Sequence, residues 1–136
     1  MSYEVRAAPP VHRAWLEARI GRHIDPESFR GVEAVDENGR VVAMAGFEFW
    51  TESGAGVHVA SDDHALRRLG AEPVEAVLRY AFETTGRKVL WALVAEDNSA
   101  VRRLAARNGF RETGRVRDGY APGVDLVLLV LHREWR

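Results

Sequence analysis

The stretch from residue 56 to residue 95 leaves this chain the fewest folds to choose from, because it passes from a short apolar run through a polar stretch and an amphipathic run to a second apolar run. Val74, Val77, Leu78, Ala81 and Phe82 recur at i, i+3, i+4, i+7 and i+8, the stripe of a helix that buries one face. Glu75 and Arg79 sit one turn apart on its outer face, and Gly86 is placed to end it. Residues 88–95, KVLWALVA, are almost continuously apolar, as expected of a strand covered on both faces and central in its sheet. Residues 56–60 read as a shorter strand. Two strands joined by a helix run parallel with a right-handed crossover, so the fold must contain a parallel pair.

Around that unit the signals are local. Tyr3–Ala7 can form a first strand, ended by Pro9 and Pro10. Val11, Ala14, Trp15 and Ala18 return at helical spacing, with Gly21 as a stop. Asp25 followed by Pro26 resembles an N-cap and a first helical position, which predicts a second, shorter helix through Phe29. Residues 31–36 and 41–50 flank Glu37-Asn38-Gly39-Arg40 and predict an antiparallel hairpin. Residues 61–68 read as a polar loop. After residue 95 a helix opens at Asn98, with Val101, Leu104 and Ala105 inward and Arg102, Arg103 and Arg107 outward. Two closing strands, 110–117 and 124–132, are separated by a turn over 118–123.

Composition removes several classes. A chain of 136 residues, 46% hydrophobic and without repeats or a linker, predicts a single domain over 1–136. Lys and Arg (19) nearly balance Asp and Glu (20), which argues against nucleic acid as a partner. The absence of cysteine excludes disulfides, thiolate metal sites and a cysteine nucleophile. The start, MSYEVRAAPP, has no apolar signal core, and no apolar run approaches the roughly 20 residues of a membrane span. A soluble cytoplasmic protein, monomer or homodimer, is the expectation.

The parallel pair also suggests where a ligand would sit. Residues 61–68 and 96–98 should leave the same carboxyl edge of those two strands, each leading into a helix N-terminus. Such termini attract phosphates, because their first amide hydrogens lack intrahelical partners and the dipole favours negative charge.

The element order, the segment AEDNSAVRRLAARNGF and the closing strand GVDLVLLVLHREW resemble the GNAT superfamily of N-acetyltransferases along essentially the whole chain. The tail RVRDGYAPGVDLVLL is also similar to acetyltransferase-like proteins of phages and prophages. The resemblance implies an α/β (α+β) fold: a mixed, mostly antiparallel twisted sheet of six to seven strands with a central parallel pair, flanked by about four helices. It implies acetyl-CoA as co-substrate, an amine as acceptor and no metal.

Residue by residue, the carry-over is uneven. The family's diphosphate loop usually reads Gln/Arg-x-x-Gly-x-Gly/Ala. Here Arg67-Arg68-Leu69-Gly70-Ala71-Glu72 keeps the leading arginine and Gly70 but places Glu72 where a small residue belongs. In that register Gly70 and Ala71 would meet the diphosphate, with Arg67 and Arg68 binding phosphate oxygens through their side chains; a second register, Ala65-Leu66-Arg67-Arg68-Leu69-Gly70, keeps only the last glycine, and the other reading of the segment is a solvated basic loop with no ligand. Many members carry a tyrosine after the asparagine to protonate the departing thiolate; Ala105 stands at that position, and Tyr120 in the last loop is either a substitute acid or a surface tyrosine. Candidates for the base that deprotonates the amine are Glu48, whose other reading is a solvent-facing strand residue, and His58, whose other reading is a half-buried structural histidine. Asn98 would bind the pantetheine arm, cap its helix, or both, and Arg103 would meet the adenosine phosphates. A backbone amide near Val59 or Ala60 would hold the thioester carbonyl. Trp15, Phe29 and Trp50 line an acceptor pocket in one reading and fill the core in the other. Two functions remain: an N-acetyltransferase acting on a small amine by direct attack, and a non-catalytic domain of the same fold that binds a protein or another acyl-CoA. Base modification in phage DNA is a third, which the near-neutral charge opposes.

Overall fold

The computed structural model describes residues 3–135. In chain order they form β1 (Tyr3–Ala7), a 3-10 turn (Pro10–His12), α1 (Arg13–Ile20), β2 (Arg30–Asp36), β3 (Val41–Glu48), β4 (Gly54–Ser61), α2 (Asp63–Leu69), α3 (Glu72–Thr85), β5 (Val89–Ala95), α4 (Ser99–Arg107), β6 (Arg111–Ala121), β7 (Val124–His132) and a closing 3-10 turn (Arg133–Trp135). The strands join in the order β1-β2-β3-β4-β5-β7-β6. β4 and β5 run parallel, with Gly54, Ala55 and Gly56 opposite Val89, Leu90 and Trp91. β1 with β2, β2 with β3, β5 with β7 and β6 with β7 are antiparallel. The expected mixed sheet with one parallel pair and four helices is therefore the observed architecture.

The described residues divide into two compact units, one reaching to Trp50 and including Val57–Gly86, the other made of Thr51–Gly56 and the residues from Arg87 onward. In the first unit α3 packs on β1, β2 and β3. It does so through the stripe legible in the sequence: Val74, Val77, Leu78, Ala81 and Phe82 are all buried. Leu16, Ile24, Phe29 and Met44 form a second buried cluster, which Trp15 and Ala60 flank. Alternation along β3 separates the two layers: Gly46 shares Met44's side, and a Cβ on Gly46 would strike Leu16.

Glu33 is buried on β2 with no exposed surface. Arg6 Nε donates to it at 2.9 Å and His12 Nδ1 lies 2.7 Å away, which ties the 3-10 turn and β1 to β2. In the second unit Leu90, Val127, Leu129 and Leu131 are buried. Leu93, however, is 58% exposed, so β5 is not covered on both faces as its composition predicts.

Three further local expectations change. Residues 26–28 form a turn and not a second helix. Asp25 Oδ1 accepts from Glu27 N at 3.1 Å and Phe29 N donates to Asp25 O at 3.1 Å, so the aspartate stabilises one isolated turn. The polar loop over 61–68 is largely α2, started by Asp62, whose side chain accepts from Ala65 N at 3.0 Å. The last turn is shorter than 118–123, because β6 continues to Ala121 past an irregularity at Asp118, where φ is 55°.

Candidate active site

Glu48 closes β3 and His58 stands in the middle of β4. Both side chains reach the α1 side of the first unit, where His58 Nε2 lies 2.6 Å from Glu48 Oε1. The same oxygen is 2.9 Å from Nη2 of Arg22, just past the left-handed Gly21 that ends α1. The side chain of Glu48 is 3% exposed and that of His58 22%. A carboxylate so far out of water requires a cation and hydrogen-bond donors against it, and Arg22 and His58 supply both. An ionised carboxylate can only accept, so Nε2 carries the hydrogen of this bond, and in the uncharged form of the ring the lone pair falls on Nδ1. The arrangement can take up a proton at Nδ1 while the carboxylate behind the ring balances the charge that forms.

The solvent-facing reading of Glu48 is thereby corrected, since Glu48 is buried. Phe49 has a φ of 56° and is 59% exposed. A left-handed residue breaks the alternation one position after the strand ends. Phe47 stays buried, and the Arg22 guanidinium lies 5.6 Å from the centre of the Phe49 ring.

The expected diphosphate loop is reshaped by α2. Arg67 and Arg68 stand in its last turn, so the connection to α3 consists of Gly70 and Ala71. Gly70 adopts φ 67° and ψ −155°, a region essentially limited to glycine, and a Cβ built there would meet nothing within 4 Å. Ala71 precedes α3 without a side-chain cap. Glu72, the residue out of pattern, accepts a hydrogen bond of 2.8 Å from the Tyr3 hydroxyl. Burial, and then the carboxylate itself, push the Tyr3 phenol up to about 12, so the hydroxyl keeps its proton and donates at neutral pH. Gly70 N donates to Leu66 O at 2.9 Å, so what fits a diphosphate here is the start of α3, whose first amides lack intrahelical partners and carry no side-chain cap, with the Glu72 carboxylate held by Tyr3. Val59 and Ala60, next to His58 on β4, are half-buried.

Phe29 and Trp50 line a cavity of about 530 Å³ in the first unit, whereas Trp15 packs on the α1-side core. Neither Glu48 nor His58 lines that cavity. In the second unit Asn98 is the N-cap of α4, its side-chain oxygen accepting from Val101 N at 3.3 Å. Arg103 lies exposed on α4, and Tyr120, near the end of β6, is 62% exposed. Two participants escaped the sequence reading, Arg22 and Tyr3. Arg22 follows a helix-ending glycine, and that position is the only local signal it carries.

The family model described as acetyltransferase (GNAT) domain matches residues 3–111. The chain belongs to the GNAT acetyltransferase family. Solved GNAT structures superpose over nearly its whole length. A chimera of the spermidine N-acetyltransferase SpeG from Vibrio cholerae and hSSAT has a TM-score of 0.76 at 12% identity, covering 98% of this chain and 97% of that one. A candidate phosphinothricin N-acetyltransferase has 0.73 at 23%, covering 96% and 98%. The candidate acetyltransferase yncA from Salmonella typhimurium, solved with its cofactor acetyl-CoA, has 0.75 at 17%, covering 98% and 95%. These likenesses show the fold. No curated protein matches the sequence. No helix among the described residues is long and apolar enough to cross a membrane.

Proposed function

We propose that this GNAT protein transfers an acetyl group from acetyl-CoA to the amine of a small acceptor, with His58 as the proton acceptor and Glu48 as the carboxylate that orients it. The observation that carries this reading is the buried Glu48–His58 pair with Arg22 on the same carboxylate oxygen. An alkylamine with a pKa of roughly 10 is almost wholly protonated at neutral pH, so it needs such a group before it can attack. Nδ1 of His58 takes that proton, and Glu48 and Arg22 keep the ring in the tautomer that allows it. Gly70, Ala71 and Arg67 hold the diphosphate, with Arg68 beside them on α2. A backbone amide at Val59 or Ala60 receives the thioester carbonyl. Acetyl-CoA supplies the activated acetyl group and a thiolate that leaves as the amide forms. In the second unit, taken by itself, Asn98 and Arg103 on α4 are the candidate cofactor contacts and Tyr120 the candidate acid. The yncA structure, solved with its cofactor acetyl-CoA, supports the same donor here.

Thermal stability with acetyl-CoA and release of free thiol with a panel of amines test this together. A ligand at about 100 times its Kd should add roughly 2.7 kcal/mol. His58→Ala should lower turnover by about two to four orders of magnitude while stabilisation by acetyl-CoA persists. No stabilisation at millimolar acetyl-CoA would favour the non-catalytic binding domain instead.

A further inference from the structure

The cavity of about 530 Å³ in the first unit is lined neither by Glu48, His58 and Arg22 nor by the Gly70 connection. It has the size of a small-molecule pocket and, like most such pockets, a mainly apolar wall. Phe29, Phe47, Trp50 and Tyr80 bring four aromatic residues to its lining, Thr84 and Thr85 join them from the last turn of α3, and Arg30 is its one charged residue. The wall is fixed. Trp50 Nε1 donates to Ser28 O at 2.7 Å, and the Phe47 and Trp50 rings lie 5.9 Å apart. Gly31 preserves the room, because a Cβ there would come within 2.6 Å of the Phe29 ring and displace it. Arg30 Nη1 donates to Phe29 O at 2.8 Å, which uses one of its five donor hydrogens and holds the guanidinium against the backbone of another lining residue.

Charge decides the class of occupant. Arg6, Arg13, Arg19 and Arg22 of the same unit each face a carboxylate. Arg30 is the charged side chain on the lining, no aspartate or glutamate shares the cavity with it, and it makes no ion pair among the described residues. A cation with open donors beside aromatic walls favours an anion with a planar apolar body, because guanidinium binds carboxylate through paired hydrogen bonds and the rings cover the rest. A cationic ligand such as an amine would be repelled there.

We infer that this cavity binds a small aromatic carboxylate, with the carboxylate on Arg30 and the ring among Phe29, Phe47 and Trp50, at a site distinct from the Glu48–His58 pair. Phenylacetate is a probe that carries no amine and so cannot be acetylated. Its binding, followed by tryptophan fluorescence and calorimetry, should be at least about tenfold tighter than that of phenylacetamide, with phenethylamine weaker still. Arg30→Gln should remove the preference for the acid and Arg30→Lys should retain part of it, both at an exposed position where folding is not at stake. Glu48→Gln and His58→Gln should leave phenylacetate binding unchanged. Equal binding of acid and amide, binding indifferent to Arg30→Gln, or binding lost in both Glu48→Gln and His58→Gln would each overturn the inference. Those results leave the acetyl-CoA assays above untouched, so the two readings fail separately.

Discussion

Replacing Gly46 by alanine should destabilise the protein although alanine is the better residue for an unfolded chain to lose. The new Cβ would overlap Leu16 Cδ2 and stand 3.0 Å from Phe29 Cε1. Carbon atoms rest at about 3.5 to 4.0 Å, so Leu16 must withdraw by more than about 1 Å. It has little room to do so. Leu16 has no exposed surface, and it packs with Ile24, Phe29 and Met44. Forcing a methyl group into such a core costs about 1 to 3 kcal/mol, while the smaller entropy of alanine in the unfolded chain returns about 0.4 to 1 kcal/mol. The middles of these ranges leave a net loss of about 1.3 kcal/mol, a fall of about 4 to 6 °C in the unfolding midpoint for a chain of this size. Urea denaturation should show a lower midpoint at unchanged slope. Leu16→Ala alone should cost about 2 to 5 kcal/mol, but in that background Gly46→Ala should be neutral or stabilising, since the obstructing methyl is gone. A raised midpoint in the native background, or the same penalty in both backgrounds, would refute the argument.

Other expected outcomes follow from single contacts. The Ala65 amide, with Arg40 and Arg19 adding to it, holds the Asp62 carboxyl below its usual 3.8. Its folded value is the lower one, so this stabilisation is complete above about pH 4 and is lost as the pH falls through the folded value. Asp62→Asn keeps the cap and cannot titrate, so a plot of midpoint against pH should flatten below pH 4. Tyr3→Phe frees Glu72 beside Gly70 and should weaken acetyl-CoA binding in calorimetry, while Tyr3→Phe with Glu72→Ala should recover it. Asn98→Ala should lower stability by about 1 kcal/mol through loss of the α4 cap and weaken CoA binding more than Tyr120→Phe. Equal effects on affinity would count against Asn98 as a binding residue.

The helices and strands that carry strong periodicity were legible because burial on one face writes its period into the chain. The α3 stripe and the Asn-Gly hairpin are of this kind: Gly39 sits in the turn at a φ of 79°, and Gly39 N donates to Asp36 O at 3.0 Å. Short elements were not legible. α2 spans seven residues of which only Ala65 is buried, so its polar sequence resembles a loop and its one clear signal is the capping aspartate. Asp25-Pro26 carries the same kind of signal and yields only a turn, because no amphipathic run follows it to be buried. A cap starts a helix only where packing can continue it.

The candidate site divides along the same line. Glu48 and His58 are ten residues apart on neighbouring strands, and their types alone nominate them. Their meeting depends on which face each side chain takes. A period of two predicts that face only while a strand stays regular, and Phe49 ends the regularity one residue after Glu48. Arg22 completes the carboxylate's surroundings because α1 ends at Gly21 and packs on β3 with Leu16 close against the bare backbone of Gly46. The glycine and the arginine are twenty-four positions apart, and neither carries a chemical motif. Packing couples them: whatever displaces α1 from β3 also moves Arg22 away from Glu48 and leaves a buried carboxylate short of its cation. Under the proposed mechanism, a core substitution at Gly46 is therefore expected to lower turnover as well as stability.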